Sequence, residues 1–203
     1  MAIRLTKEEI VSAALTVLDE VGIDGLTTRR VADQLGIQSP TLYWHFKNKR
    51  ALLDAMAYRM MGEVARPDPA DFPDWRSWLR AEAEAFRTAL ARYRDGAKVH
   101  AGSSPGPEQV SDIDHHITYL CNAGFSPGDA ARALFVLGRF VVGWMIEAQS
   151  GESRMLPREI LAQAPFLERA VAEVPQIGGP DTFLWAVDTF IKGMSRHHPN
   201  DRL

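Results

Sequence analysis

The chain has 203 residues, 46% of them hydrophobic, and a formal net charge of −3 at pH 7, which is enough apolar material for the interior of one or two domains. No run approaches the ~18 apolar residues of a membrane span, and the N-terminus lacks the basic-then-apolar layout of a secretory signal, so a cytoplasmic globular protein without a membrane partner is expected. The single cysteine, Cys121, excludes an intramolecular disulfide and, in an apolar helical setting, reads as a small buried side chain rather than a nucleophile.

Thr6-Lys7-Glu8-Glu9 has the form of a capping box, and Ile10, Val11, Ala14, Leu15, Leu18 and Val21 follow at helical spacing as far as Gly22. From Leu26 to Lys49 the pattern predicts two short helices about a tight turn. Thr28 caps the first, Val31, Ala32 and Leu35 face inward, Gly36 ends it, and Ser39-Pro40 starts the second, with Leu42 as its main buried residue. This is a helix-turn-helix. Two such short helices cannot hide enough apolar surface alone, so the stripe of the first long helix must pack against them.

The outer face of this unit is polar, aromatic and basic. Ser39, Thr41, Tyr43, Trp44 and His45 can face a major groove. Between Thr27 and Arg50, five bases (Arg29, Arg30, Lys47, Lys49 and Arg50) oppose one acid, Asp33. A local net charge of +4 in a chain of −3 is the excess that phosphate neutralisation requires. Solvated charges on an ordinary helical hairpin are the plain alternative.

Asn48 caps a further helix carrying Leu52, Leu53, Ala55, Met56 and Met60 to about Ala65. Three prolines then fall between Arg66 and Pro73, which no helix crosses, and the boundary between a unit 1–66 and a unit 67–203 is set there. Asp74 opens a long amphipathic helix with Trp75, Trp78, Leu79, Ala83, Phe86 and Leu90, closing near Arg94-Asp95-Gly96. A short segment with Lys98, Val99 and His100 precedes the turn 102–107, and a helix from Glu108 to Asn122 ends at Gly124. Ser126-Pro127 starts a helix from Ala130 to about Ala148; residues 150–165 read as a loop, Phe166 to Val174 as a weak helix, and Asp181 to His197 as the last. In Ala130–Ala148 and Asp181–His197 the apolar residues exceed one stripe, as expected of helices shared between two chains in a four-helix interface.

Leu26 to Leu53, with Gly22-Ile23-Asp24-Gly25 before it, resembles the DNA-binding domain of the TetR family of bacterial repressors. Phe86-Arg87-Thr88-Ala89-Leu90, the run Arg92 to His100 and Asn122-Ala123-Gly124-Phe125-Ser126 resemble the core of its tetracycline repressor subgroup. The resemblance implies an all-α homodimer: an N-terminal three-helix helix-turn-helix domain binding one half of a palindromic duplex operator, and a helical ligand-binding and dimerisation domain whose small-molecule effector moves the heads out of register. It implies DNA contacts from Thr28, Arg29, Ser39, Pro40, Thr41, Tyr43, Trp44, His45 and Lys49. Ser39 stands where the subgroup has glutamine, which removes a bidentate contact to adenine and predicts a different operator.

For the effector, the resemblance implies a pocket of Glu82, Phe86, His100, Ser103, Ser104, Pro105 and His116, completed by Trp144 or Glu147 of the second chain. His100 and Glu147 occupy the positions that hold the drug-borne magnesium ion in tetracycline repressors. The four residues that clasp the drug there are replaced by Ala65, Glu82, Ser104 and His116. A pocket built for a polar ligand loses strongly when its partners are missing. The expectation is therefore a largely apolar or aromatic effector, with no cofactor and no metal; magnesium at His100 would enter only with a tetracycline-like ligand, the alternative reading. An enzyme could nominally draw on Glu82, His100, His115, His116 and Glu147, yet no phosphate loop, HExxH or GxSxG motif is present, and no catalytic residue is assigned. A helical interaction protein without DNA binding would leave the basic, aromatic face unexplained.

Overall fold

A computed structural model describes residues 5–151, 157–174, 176 and 178–195, and among these there are helices and no strands. The first helix, α1 (Lys7–Gly25), begins in the expected capping box: Glu9 N donates to Thr6 Oγ1 at 3.2 Å and Thr6 N to Glu9 Oε2 at 2.8 Å. Gly22 does not stop it. At φ 70° Gly22 kinks the chain, and helical geometry resumes to Gly25.

Helix α2 (Thr28–Gln34) is capped by Thr27 rather than Thr28. Thr27 is the extended residue, and its side chain accepts from Arg30 N at 3.2 Å, so Thr28 becomes the first helical residue. Gly36, at φ 65°, turns the chain into α3 (Ser39–Leu42), a single turn of four residues. Tyr43, Trp44 and His45 follow it with helix-like bonds to Pro40, Thr41 and Leu42 carbonyls at 3.0–3.3 Å. Leu42 is buried as expected, but Phe46 joins it, so the turn is pinned at both ends. Asn48 caps α4 (Lys49–Gly62) by accepting from Ala51 N at 2.8 Å. That helix stops three residues short of Ala65: Glu63 is already its cap, and Pro67 disfavours helical geometry at Arg66.

A short 3-10 turn, Pro69–Asp71, crosses the proline stretch. Asp74 then caps α5 (Trp75–Ala91), which ends before Arg94-Asp95-Gly96 and gives way to α6 (Gly96–His100). The remaining helices are α7 (Pro107–Asn122), α8 (Pro127–Gln149, capped by Ser126), α9 (Arg158–Leu161), α10 (Pro165–Glu173) and α11 (Pro180–Ser195). Helix α9 corrects the reading of 150–165 as wholly loop: Ile160 and Leu161 N–H groups both donate to Pro157 O. His197, the expected end of the last helix, lies outside the described residues.

One continuous apolar core runs from α1 through α4 into α5, α8 and α11. The two parts of the chain also meet through polar groups: Asp95 Oδ2 accepts from Ile23 N at 3.0 Å, and Asp19 Oδ1 from Arg94 N at 2.8 Å. A methyl group on Gly22 would sit 2.8 Å from Asp95 Oδ2, in a left-handed backbone. Gly22→Ala is therefore expected to lower stability by about 1–3 kcal/mol, read from the urea midpoint, whereas Gly62→Ala, which meets nothing within 4 Å, should not destabilise.

Candidate functional site

The head buries Phe46 but presents Tyr43 and Trp44 outward. Tyr43 is 54% and Trp44 88% exposed, while Leu42 between them and the turn is 2% exposed. Arg29, Lys47 and Lys49 are exposed beside them, as is Pro40; Thr28, Ser39, Thr41 and His45 are half-buried. Tyr43, Trp44, His45 and Lys47 thus lie on the turn that joins α3 to α4, Ser39, Pro40 and Thr41 in α3, Lys49 at the start of α4, and Thr28 and Arg29 in the first turn of α2. Arg50 is diverted from this surface. Its guanidinium binds Asp54 at 2.8 Å and reaches the Ala101 carbonyl at 3.5 Å.

In the core, three residues one helical turn apart on α5 set the site: Trp78, Glu82 and Phe86 share a face. Trp78 is fully buried and meets the His116 ring edge-on at 5.0 Å and Tyr119 at 5.1 Å. Phe86 meets His100 edge-on at 5.0 Å. Glu82 lies between these two pairs, at 7% exposure. It is held by Arg66 of the α4–α5 linker, whose Nε donates to Glu82 Oε2 at 3.3 Å while Nη2 meets Oε1. The adjacent Pro67 carbonyl accepts from Trp78 Nε1 at 3.1 Å. Sequence reasoning named Glu82, Phe86, His100 and His116 but missed Arg66 and Trp78. The available signal was Glu82 itself, a carboxylate inside the apolar stripe of α5, which requires a cation nearby.

Burial, with the Arg66 charge adding to it, holds both imidazoles in the neutral form. His116 is pushed down to about 4 from an ordinary 6.5, His115 contributing and Asp112 opposing. His100 is lowered by burial, then by Arg66 and Arg50, and its Nδ1 is buried without a hydrogen-bond partner. Ser103 N donates to the His100 carbonyl at 2.9 Å; Ser103 is half-buried, Ser104 and Pro105 exposed. Trp144 is engaged within its own chain, 5.8 Å from Phe140 and 5.7 Å from Phe183 of α11, while Glu147 is exposed on the last turns of α8. A surface cleft of about 220 Å³ opens behind Tyr119, lined also by Asp68, Pro69, Ala70 and His115. Among the described residues no three His, Cys, Asp or Glu side chains gather as a metal site, and no helix is long and apolar enough to cross a membrane.

Residues 10–56 match the family model for bacterial regulatory proteins of the tetR family, and residues 67–194 match that for the tetracyclin repressor-like C-terminal domain. The tetracycline repressor protein class A from transposon 1721 of Escherichia coli is 45% identical over 202 residues, covering 95% of this chain and 92% of that protein. The solved structure of TetR(class A) in complex with 5a,6-anhydrotetracycline and magnesium superposes with a TM-score of 0.74 at 40% identity, covering 95% and 99% of the two chains. BioQ with its natural double-stranded DNA operator gives 0.71 at 26% identity, covering 94% and 98%.

The lowered histidines fix a pH dependence. Between about 4 and 6.5 the unfolded chain binds a proton at His116 that the folded chain does not, so stability falls as the pH drops through that window and is fully present above it. Urea midpoints at pH 7.5 and 5 should differ more for the parent than for His116→Gln, with His100 leaving a residual slope in the variant. Parallel loss in both proteins would show that His116 does not carry the effect.

Proposed function

The chain belongs to the TetR family of bacterial regulatory proteins, and on that premise we propose that it is a ligand-responsive transcriptional repressor. It binds a palindromic operator as a homodimer and is released by a small effector with a largely apolar or aromatic body. The observation that carries the DNA-binding half is the exposure of Tyr43 and Trp44, at 54% and 88%. Aromatic groups of that size are left in water on a tightly packed head where they have a binding role. Thr28, Arg29, Ser39, Pro40, Thr41, Tyr43, Trp44 and His45 then read or position the duplex, and Lys49 neutralises phosphate. The functional division falls at 1–66 and 67–203, with the protein acting in the cytoplasm and without catalysis.

The dimer rests on α8 and α11. Each buries one face in its own core through Leu137, Val141, Met145, Phe183 and Val187, yet leaves Phe135, Val136 and Trp185 exposed at 63%, 49% and 67%. A second copy covers this surface, and pairing of the heads lets them read two half-sites.

The effector site lies among Glu82, Phe86, His100, Ser103 and His116, with Ser104 and Pro105 at its rim and Trp144 or Glu147 of a second copy beside it. Tetracycline is not the favoured effector, because Ala65, Glu82, Ser104 and His116 replace the groups that would clasp it. His100 can offer one neutral imidazole to a drug-borne magnesium ion, but no resident cofactor is assigned. Release requires the effector to prefer the splayed-head state by about 2.7 kcal/mol for a hundredfold change in operator affinity.

Selection from random duplexes should return a two-fold symmetric consensus. On that duplex, Lys49→Ala should weaken binding to all sequences and reduce the salt slope by about one unit. Ser39→Gln should instead change the preferred base at one position per half-site by about 1–3 kcal/mol. An unchanged consensus for Ser39→Gln, or a monomer persisting at micromolar concentration in sedimentation, would overturn the assignment.

A further inference from the structure

Glu82 is the only charged residue buried below a tenth exposure among the described residues, and it cannot leave its place on α5 without unfolding the helix. Its partner can move. Arg66 lies on a linker, with 39% of its side chain exposed against 9% for Glu82. The two ends of this ion pair are therefore unequal: a ligand that removed Arg66 while offering Glu82 nothing would strand a buried carboxylate, whereas one that brought its own positive charge would leave the buried pairing intact. An anionic ligand would have to draw Arg66 away and strand Glu82 in that manner.

The surroundings of Glu82 select the same sign of charge. One turn to either side stand Trp78 and Phe86, each packed edge-on against an imidazole, and aromatic rings of this kind favour a cation nearby. His116 and His100 are neutral there and each retains a lone pair, and His100 Nδ1 is buried with no partner. Arg66 is the cation that binds the carboxylate, while Arg50, the other cation felt by His100, is engaged by Asp54.

We propose that the effector is an organic cation, an amine or amidine on an aromatic or apolar body, whose charged nitrogen replaces the Arg66 guanidinium on Glu82. This rests on the effector-site reading above and names the ligand class of that site. Displaced Arg66 swings to solvent, and the linker from α4 to α5 then loses its ion pair with α5 while keeping the Trp78–Pro67 bond. The α4–α5 linker is thereby loosened on one side of the head–core junction, while the contacts of Asp95 with Ile23 and of Asp19 with Arg94 hold the other.

Three probes of one shape separate the charges: 1-naphthylmethylamine, 1-naphthalenemethanol and 1-naphthoate, titrated by calorimetry into the full-length protein at pH 7.5. The amine should bind at least about tenfold more tightly than the alcohol, as a charge-assisted hydrogen bond implies, and naphthoate more weakly than either. In Glu82→Gln the preference of amine over alcohol should vanish. In Arg66→Ala the amine should bind more tightly than in the parent, and should raise the melting temperature more, which keeps the test readable if that variant is unstable alone. Equal affinities for the three probes, a preference for naphthoate, an unchanged preference in Glu82→Gln, or binding of no probe to either parent or Arg66→Ala would each overturn the proposal. Operator affinity measured in the same samples separates the two readings. A charge preference abolished by Glu82→Gln with no effect of amine on operator binding supports the cation site and overturns the regulatory reading; operator binding without a charge preference overturns the cation site alone.

Discussion

The architecture depends on how the end of α1 meets the turn between α5 and α6. Asp95 adopts a left-handed conformation, φ 54°, the only non-glycine residue to do so among those described. The conformation aims its carboxylate at the Ile23 N–H, which the kink at Gly22 has released from the helix ladder. A carboxylate accepting a backbone N–H satisfies a donor that would otherwise face the interface unpaired. Lys98 binds the other oxygen at 2.9 Å, and Arg94 Nη1 donates to the Glu20 carbonyl at 3.1 Å. Two irregularities, one in each part of the chain, thus satisfy each other. Because α6 begins at the next residue and ends at His100, the same turn that docks the head also positions His100 against Phe86.

The second constraint is the polarity of that site. Most of the core is aliphatic and aromatic, and Glu82 is the exception that shapes it. A buried ion pair is weak evidence for stability, since replacing both partners with apolar side chains is often neutral or stabilising. The observation fits the recognition role proposed for Glu82 rather than a contribution to stability. The neighbouring imidazoles fit with it: burial lowers the pKa of His100 and His116, and the Arg66 charge that compensates Glu82 adds to that effect.

Much of the helical order was legible because it is local. Thr6, Asn48, Asp74 and Ser126 announce helix starts by a side chain that bonds a backbone N–H three residues on, and the apolar spacing of α1, α5 and α8 names the faces that are buried. What eluded the sequence is either finer than this signal or longer in range. Thr27 and Thr28 are equally good caps, and only the extended backbone at Thr27 decides between them. Helix α9 is a single turn with no apolar period to betray it. The tie between Arg66 and Glu82 spans sixteen residues and a proline-rich turn, so nothing in the spacing pairs them. Trp78 read as a core residue, and only the fold reveals that it also backs His116.

Gln149 closes the account of how α8 relates to the site. Its amide nitrogen donates to the Leu90 and Tyr93 carbonyls at 2.9 and 3.0 Å, and its oxygen accepts from Ala97 N at 3.1 Å. One side chain at the end of the helix that carries the exposed dimer surface therefore clasps both ends of the α5–α6 turn. Helix α8 and the α5–α6 turn share a mechanical element. A shift of α8 is carried by this one amide to three backbone groups, so the turn that meets α1 follows the helix that clamps it.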